Sequence, residues 1–180
     1  MSAKDQWARQ EMNAQTRALV AGLGSETFDV LEISGRSWKG RGFRSYRWVD
    51  YPAFDICERS LDESFHLIIA EQVFEHIRHP HRAAGNVLKM LHPGGAFLIT
   101  TPFVLRYHPC PLDLWRWSAQ GMKFFLEDCG FENVRTWSWG NRDCVVANLD
   151  TWTAFDPSRH SLANDPKFPI VVWGLGERGR

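Results

Sequence analysis

Residues 64–102 read SFHLIIAEQVFEHIRHPHRAAGNVLKMLHPGGAFLITTP, and this stretch decides the fold. Phe65–Ala70 and Ala96–Thr101 are apolar runs of the length of buried strands. Between them, Val73–Leu91 has apolar residues at helical spacing, with a break next to Pro80. A Pro-Gly-Gly sequence then predicts a turn. The order of strand, broken helix, turn and strand is typical of a parallel α/β sheet.

The segments on either side continue this alternation. We predict further strands at Phe28–Ile33, Ser45–Val49, Phe131–Trp139 and Phe168–Trp173, and helices over residues 4–22, over Ser118–Cys129 and around Val145–Phe155. Residues 35–50 show no helical stripe, so the first half is expected to be abbreviated. The sequence therefore predicts a Rossmann-like α/β fold, with a mostly parallel sheet of about six or seven strands and helices on both faces.

Length and composition are those of one ordinary globular domain, with 180 residues of which 44% are hydrophobic. We predict a single domain over residues 1–180, with an N-terminal helical cap at 1–24 and an insertion at 140–167 before the last strand. Lysine plus arginine and aspartate plus glutamate both number 21, so no excess positive charge favours nucleic acid as a partner.

No apolar run approaches the roughly 20 residues that cross a bilayer, so we expect no membrane association. The first 17 residues lack the apolar region of a signal peptide, which predicts a cytoplasmic protein. Four isolated cysteines without CxxC spacing indicate free thiols. No metal site is expected, since His79 and His81 lack nearby ligands at suitable spacing. Five of the nine tryptophans lie in residues 115–152. They could fill the core, line an aromatic pocket or form a homodimer interface.

The ordered run in residues 64–102 resembles the central part of class I S-adenosylmethionine-dependent methyltransferases. That family has a strand ending near an acidic residue, a Val-x-x-His element, a helix ending in Leu-x-Pro-Gly-Gly, and a strand running to Thr-Pro. Asp113–Phe131 is similar to the family's later helix and strand, and the resemblance extends over about residues 28–139. It implies S-adenosyl-L-methionine as cofactor and methyl transfer to a small-molecule substrate.

The resemblance also implies cofactor contacts where the strands end. VLEISG at Val30–Gly35 is similar to the family's first motif, with Glu32 as the acid and Ser34 where a glycine is usual. Of the two aspartates that follow the second strand, Asp55 has the better spacing for an adenine contact; either aspartate could instead be a turn residue. We expect a slot for the adenosyl group bounded by Glu32, Asp55 and Glu71. The cofactor-binding candidates are Glu32, Ser34, Gly35, Asp50, Asp55, Ile56, Glu71 and Gln72.

The loop after the Thr-Pro strand end carries the candidates for the acceptor side. A hydroxyl or ammonium acceptor must lose a proton, and a histidine suits that task. We predict His108 as the base, oriented by Asp113, with His76 as a second catalytic candidate that could instead shape the cofactor loop. The substrate-binding candidates are Tyr107, Trp115, Arg116 and Trp117. A surface position for His108 and a structural salt bridge for Arg116 are the alternatives.

Two other functions remain open from the sequence. The short first half is also compatible with a methyltransferase-like domain that has lost catalysis and serves as a binding or regulatory subunit. A nicotinamide-dependent reductase ranks last, because Ser34-Gly35-Arg36-Ser37 does not supply the GxGxxG turn that follows the first strand in such proteins.

Overall fold

The computed structural model describes residues 5–180. Six strands form one sheet in the order β2-β1-β3-β4-β6-β5. Strands β1 to β6 span Asp29–Ile33, Ser45–Val49, Phe65–Glu71, Leu91–Pro102, Glu132–Trp139 and Val171–Glu177. Helices α1 to α4 span Gln10–Gly22, Pro80–Met90, Ala119–Asp128 and Arg142–Ala147.

Four neighbouring strands run parallel, in the order β2-β1-β3-β4, and β6 is antiparallel to both β4 and β5. The chain moves outward from β1 to β2 and then crosses back to β3 on the other side of β1. Ligands bind outside the carboxyl ends of parallel strands at such a reversal. The predicted Rossmann-like, mostly parallel α/β fold is therefore confirmed, with a defined place for a ligand.

Helices cover both faces of the sheet. On one face, α2 and α3 bury Val87, Met122 and Leu126 against Ile68 and Phe97 of the central strands. On the other face, α1 and the buried Trp38 cover the alternate side chains of the same strands. The prediction of helices on both faces is confirmed, and the central strands are buried as expected for a covered parallel sheet.

The first half is abbreviated, as predicted. Residues 34–44 between β1 and β2, and residues 50–64 between β2 and β3, contain turns in place of the crossover helices that usually connect parallel strands. The loop after β1 instead inserts Trp38 into the core, with 3% of its surface exposed. One large aromatic side chain thus covers sheet area that a helix covers elsewhere.

Several predicted boundaries are corrected. The N-terminal helix begins at Gln10 after a 3-10 turn at Trp7–Arg9, and residues 1–4 of the predicted cap lie outside the described residues. The helix placed around Val145–Phe155 is α4, which ends at Ala147. It begins earlier than predicted, because Asn141 caps its start by accepting a hydrogen bond from the Cys144 N–H.

The last strand also differs from the prediction, since β6 runs from Val171 to Glu177 instead of over 168–173. A side chain at Gly174 would meet Leu126 of α3 at 3.0 Å, so the strand continues through a position that only glycine fits. In the predicted turn before β4, Leu91 already pairs with Phe65, and β4 therefore begins earlier than expected, with an irregular register. No helix within residues 5–180 is long and apolar enough to cross a membrane.

Candidate active site

A cavity of about 930 Å³ opens at the carboxyl ends of β1, β2 and β3. Its size is that of a small-molecule or cofactor site, and its walls combine apolar side chains with a few polar ones. Five of the predicted cofactor-binding residues line it. They are Ser34, Asp50, Asp55, Ile56 and Gln72.

The turn after β1 is held open toward this cavity by its backbone. Ser34 adopts a left-handed conformation, with φ of 54°, and Gly35 follows with φ of 148°. The Gly35 N–H donates a hydrogen bond to Asp50 Oδ1 at 3.1 Å, and a side chain at Gly35 would meet Glu32 Oε1 at 3.0 Å. Glycine is therefore required at this turn, and Asp50 anchors it from the end of β2.

Asp55 and Ile56 also line the cavity. Asp55 Oδ1 accepts a hydrogen bond from the Cys57 N–H at 2.8 Å, and the Ile56 carbonyl accepts one from Asn86 of α2 at 2.8 Å. The segment is thus fixed to the buried face of a helix. Phe54 and Ile56 add apolar surface on which a planar ring can pack.

Glu32 and Glu71, which were expected to bound the slot, do not line the cavity. Glu32 is 1% exposed and accepts hydrogen bonds from the N–H groups of Ser37 and Trp38 and from the Tyr46 hydroxyl. Glu71 accepts a hydrogen bond from the Trp38 indole N–H at 3.0 Å. Both carboxylates therefore accept hydrogen bonds from Trp38, Glu32 from its backbone N–H and Glu71 from its indole N–H. We call this arrangement the Trp38 clasp.

Arg9 completes this arrangement from the N-terminal segment. Its guanidinium lies 3.4 Å from Glu71 Oε1, and burial lowers the pKa of Arg9 from its usual value, partly offset by Glu71 and Glu75. Desolvation likewise raises the pKa of Glu32, against the hydrogen bonds that it accepts. Of the three residues expected to bound the slot, only Asp55 faces the cavity.

Gln72 follows β3 at the inner end of the cavity in a left-handed conformation, with φ of 57°. Its N–H donates to the Thr100 carbonyl at 2.9 Å, and its side-chain amide donates to Thr100 Oγ1 at 3.2 Å. A non-glycine residue with positive φ is costly unless its surroundings impose it. Here the hydrogen bonds to Thr100 of β4 impose the positive φ, and the chain continues from Gln72 to His76.

His76 lines the cavity and also contacts His108, so the two predicted catalytic histidines lie together. Their ring centroids are 5.3 Å apart, with the planes at 81°. Glu75 Oε1 lies 3.6 Å from His76 Nε2 and 4.0 Å from His108 Nε2. We call these three residues the Glu75 cluster. Burial raises the pKa of Glu75 to about 8.

Asp113 contacts His108 through both its backbone and its ring. Asp113 Oδ2 accepts a hydrogen bond from the His108 backbone N–H at 2.7 Å and lies 3.3 Å from His108 Nδ1. Arg116 binds both oxygens of the same carboxylate, at 2.5 and 2.7 Å, which lowers the pKa of Asp113 to about 2. Burial lowers the pKa of His108 from its usual value, so its ring is neutral at pH 7.

The four predicted substrate-binding residues do not line the cavity. Arg116 forms the ion pair with Asp113, which is the structural alternative raised above. Trp115 and Trp117 stack on each other, and Trp117 packs on Phe125 of α3. Tyr107 is 72% exposed. Of the four, Arg116 contacts the loop that carries His108. Contact of these residues with an acceptor remains a prediction.

Three residues at this edge were missed by the sequence analysis. Trp38 and Arg9 were missed because nothing in their local pattern indicates which carboxylate they reach. Glu75 was missed although it adjoins His76, since a glutamate in a polar turn is normally solvent-exposed. Its signal is the pair of apolar residues Val73 and Phe74, which bury the turn beneath the sheet edge.

Comparison with known proteins identifies the family and the fold. A family model described as a methyltransferase domain matches residues 11–135, more than half of the chain. No curated protein matches the sequence. Among solved structures, an S-adenosylmethionine-dependent methyltransferase from Mesorhizobium loti superposes with a TM-score of 0.61 at 14% identity, covering 92% of this chain and 98% of that one.

Two further structures show the same fold. The N-methyltransferase NodS from Bradyrhizobium japonicum, in complex with S-adenosyl-L-homocysteine, has a TM-score of 0.58 at 16% identity over 98% of this chain and 90% of that one. A Haloferax volcanii structure of the activator Trm112 with a methyltransferase has a TM-score of 0.55 at 13% identity over 99% and 98%. The family match and the shared sheet lead to one conclusion: the chain belongs to the methyltransferase-domain family of class I S-adenosylmethionine-dependent methyltransferases.

Proposed function

We propose that this protein transfers a methyl group from S-adenosylmethionine to a small-molecule acceptor that binds beside His76 and His108. The observation that carries the proposal is the continuity of the site. The cavity begins at Asp50 and Asp55 and reaches His76, whose ring contacts His108. A cofactor cavity that reaches a histidine pair suits methyl transfer with proton removal, because a base near the acceptor can take its proton.

The residues present fit the family's cofactor. Asp50 lies at the end of β2, where a carboxylate can accept hydrogen bonds from ribose hydroxyls, and Asp55 can accept one from an adenine amino group. Phe54 and Ile56 provide apolar contact for the ring. S-adenosylmethionine supplies an electrophilic methyl group on a sulfonium. The chain's own contribution is to orient the acceptor and to exclude water at that end of the cavity.

Among the chain's own residues, we assign removal of the acceptor's proton to His108. Its Nδ1 lies 3.1 Å from the Arg106 carbonyl and 3.3 Å from Asp113, whereas the one donor, Arg116 Nη2, is farther away at 3.4 Å. The two nearer acceptors favour the tautomer with its proton on Nδ1 and its lone pair on Nε2. Asp113 is itself fixed by Arg116, and it orients the imidazole without losing its charge. His76 shapes the passage between the cavity and this lone pair.

The small-molecule acceptor is supported by the balanced charge of the chain and by the enclosed position of His108, which is 17% exposed in its side chain. A nucleic acid would instead require a basic surface that tracks its phosphates.

Calorimetry with S-adenosylhomocysteine tests the cofactor assignment. Asp55→Ala is expected to weaken binding about tenfold or more, because a charge-assisted hydrogen bond is lost. Asp62→Ala is the matched control, since Asp62 is an exposed aspartate in the same connection that does not line the cavity. Wild-type protein that gives no heat at millimolar ligand would contradict the proposal and favour the inactive, partner-binding alternative.

A further inference from the structure

We propose that Glu75, His76 and His108 form a binding site for one divalent transition-metal ion of the zinc type. The inference concerns atoms of the chain itself and does not depend on methyl transfer. Three lone pairs converge at this point from two different segments, the turn after β3 and the loop after β4.

The ligand atoms are already close to coordination geometry. Glu75 Oε1 is 3.6 Å from His76 Nε2 and 4.0 Å from His108 Nε2, and all three ligand atoms lie within 4.8 Å of one another. Zinc binds nitrogen and carboxylate oxygen at about 2.0–2.2 Å, so two tetrahedral ligands lie about 3.3 Å apart. Shifts of less than about 1 Å along side-chain torsions therefore complete the site.

Both imidazole rings are held in the tautomer that a metal needs. His76 Nδ1 lies 2.5 Å from the Leu112 carbonyl, which can only accept, so the ring proton is on Nδ1. His108 Nδ1 lies 3.1 Å from the Arg106 carbonyl and 3.3 Å from Asp113, and these two acceptors, which are nearer than the Arg116 Nη2 donor at 3.4 Å, favour the same tautomer. Metal-binding histidines typically donate their second N–H to a carbonyl or a carboxylate. Both Nε2 lone pairs are thus left facing Glu75.

Glu75 provides an independent observation. Its side chain is 1% exposed, and neither carboxylate oxygen has a hydrogen-bond partner within residues 5–180. Buried carboxylates are normally paired, hydrogen-bonded or bound to a metal, because desolvation without compensation is costly. A cation between Glu75 and the two histidines provides the missing partner.

The charges around the cluster also favour a cation. Arg9 and Arg116 are the nearby positive groups, but Glu71 neutralises the first and Asp113 the second. Among these five groups, Glu75 therefore has no cation of its own, and its carboxyl would release its proton when an ion binds. Two nitrogen ligands and one oxygen ligand suit zinc or iron(II) better than the all-oxygen preference of magnesium or calcium.

The site is accessible from the cavity, because His76 lines its wall. With three protein ligands, an ion retains an open position for water or for an acceptor oxygen. His108 Nε2 cannot bind an ion and remove a proton at the same time. In the metal-bound protein, the ion would lower the pKa of an acceptor oxygen bound to it, and that oxygen would release its proton to solvent water.

Cobalt(II) titration of the chelator-stripped, full-length protein tests the site, with visible absorption as the readout. We expect one ion per chain and competition by zinc. Glu75→Gln and His108→Gln should each weaken binding at least about 100-fold, more than the loss of an outer-sphere partner. His81→Ala is the control, since His81 is exposed on α2 and outside the cluster.

Melting temperatures show whether each variant still folds. They also report binding, because an ion that binds only the native state raises the melting temperature. If Glu75→Gln does not fold, His108→Gln decides the result. Absence of stoichiometric binding, or binding that both variants retain, overturns the metal site. S-adenosylhomocysteine calorimetry on the same samples separates this outcome from a failure of the proposed methyltransferase function.

Discussion

The two edges of the parallel sheet carry nearly the same set of groups in opposite states. At the amino edge, Asp29 lies with His66 and His92; at the carboxyl edge, Glu75 lies with His76 and His108. Asp29 accepts hydrogen bonds from Arg44 and Ser45, so its charge is already compensated at the surface. Glu75 is buried and has no such partner within residues 5–180.

The difference shows that a carboxylate and two histidines do not by themselves make a site. At the amino edge, His66 Nδ1 accepts a hydrogen bond from the Asp29 N–H, which uses the lone pair that a ligand would need. At the carboxyl edge, backbone carbonyls lie against the Nδ1 atoms of His76 and His108, where they can accept hydrogen bonds from the ring N–H groups. The Nε2 lone pairs are then available to a ligand. Which edge acts chemically is decided by the hydrogen bonds around each group.

The largest expected difference between the edges is in methyl-transfer rate. His108→Ala should lower kcat about 10²-fold or more, because it removes a proton acceptor or a metal ligand from the reaction. His66→Ala should leave the rate unchanged, since His66 lies at the far edge. Turnover is measured as S-adenosylhomocysteine formation, with calorimetry to confirm cofactor binding. Equal rates for His108→Ala and wild type would end the catalytic assignment of the carboxyl edge.

The second-largest difference between the two edges is expected in the free energy of unfolding. Glu32→Ala leaves the N–H groups of Ser37 and Trp38 and the Tyr46 hydroxyl without their acceptor, and we expect a loss of about 3 kcal/mol in the free energy of unfolding. Asp29→Ala removes partly exposed contacts with Arg44 and should cost much less. Urea denaturation of both variants measures the difference; comparable losses would contradict it.

A thiol label can show which edge a ligand covers. Cys110 is exposed and lines the cavity, whereas burial raises the pKa of the Cys144 thiol to about 12 and makes it unreactive. We expect Cys110 to be alkylated first, and saturating S-adenosylhomocysteine to slow its labelling about tenfold. Mass spectrometry locates the label. Labelling of Cys110 that ligand does not slow would place the ligand elsewhere.

The smallest effect concerns acid stability at the amino edge. The hydrogen bond from Arg44 holds the pKa of Asp29 well below its usual range. A carboxyl with a lowered folded-state pKa stabilises the fold above its unfolded-state pKa of about 3.9, and this stabilisation is lost as the pH falls toward the folded value. Wild type should therefore lose slightly more stability than Asp29→Asn between pH 5 and 2. Parallel curves of unfolding free energy against pH would exclude this contribution.

Much of the fold could be predicted from apolar periodicity alone. Ser45–Val49 and the capped helix that begins after Ser118 were placed nearly to the residue, because strand length and the Ser118 cap act locally. The end of β6 could not be placed, since it depends on Gly174 fitting beneath α3. Contacts between distant segments override local propensity at such positions.

The candidate site was predicted in part, for a similar reason. Residues that directly follow strands, such as Ser34, Asp50 and Gln72, were found because parallel strands bring their carboxyl ends to one edge. Glu32 and Glu71 lie at the carboxyl ends of β1 and β3, but their carboxylates bind Trp38, whose position no local pattern reveals. Topology therefore predicts which residues meet, whereas the pairing of side chains decides which of them remain free.

The Trp38 clasp implies that a ligand near Glu71 must compete with the protein's own hydrogen-bond donors, which lowers its affinity. An ammonium group directed at Glu71 meets a carboxylate that the indole N–H and Arg9 already occupy, and Arg9 is attached to the start of α1. Any ligand that displaces these donors binds more weakly by the free energy of the contacts that it replaces. Undocking of the N-terminal segment and occupancy near Glu71 would then be reciprocally coupled, each favouring the other.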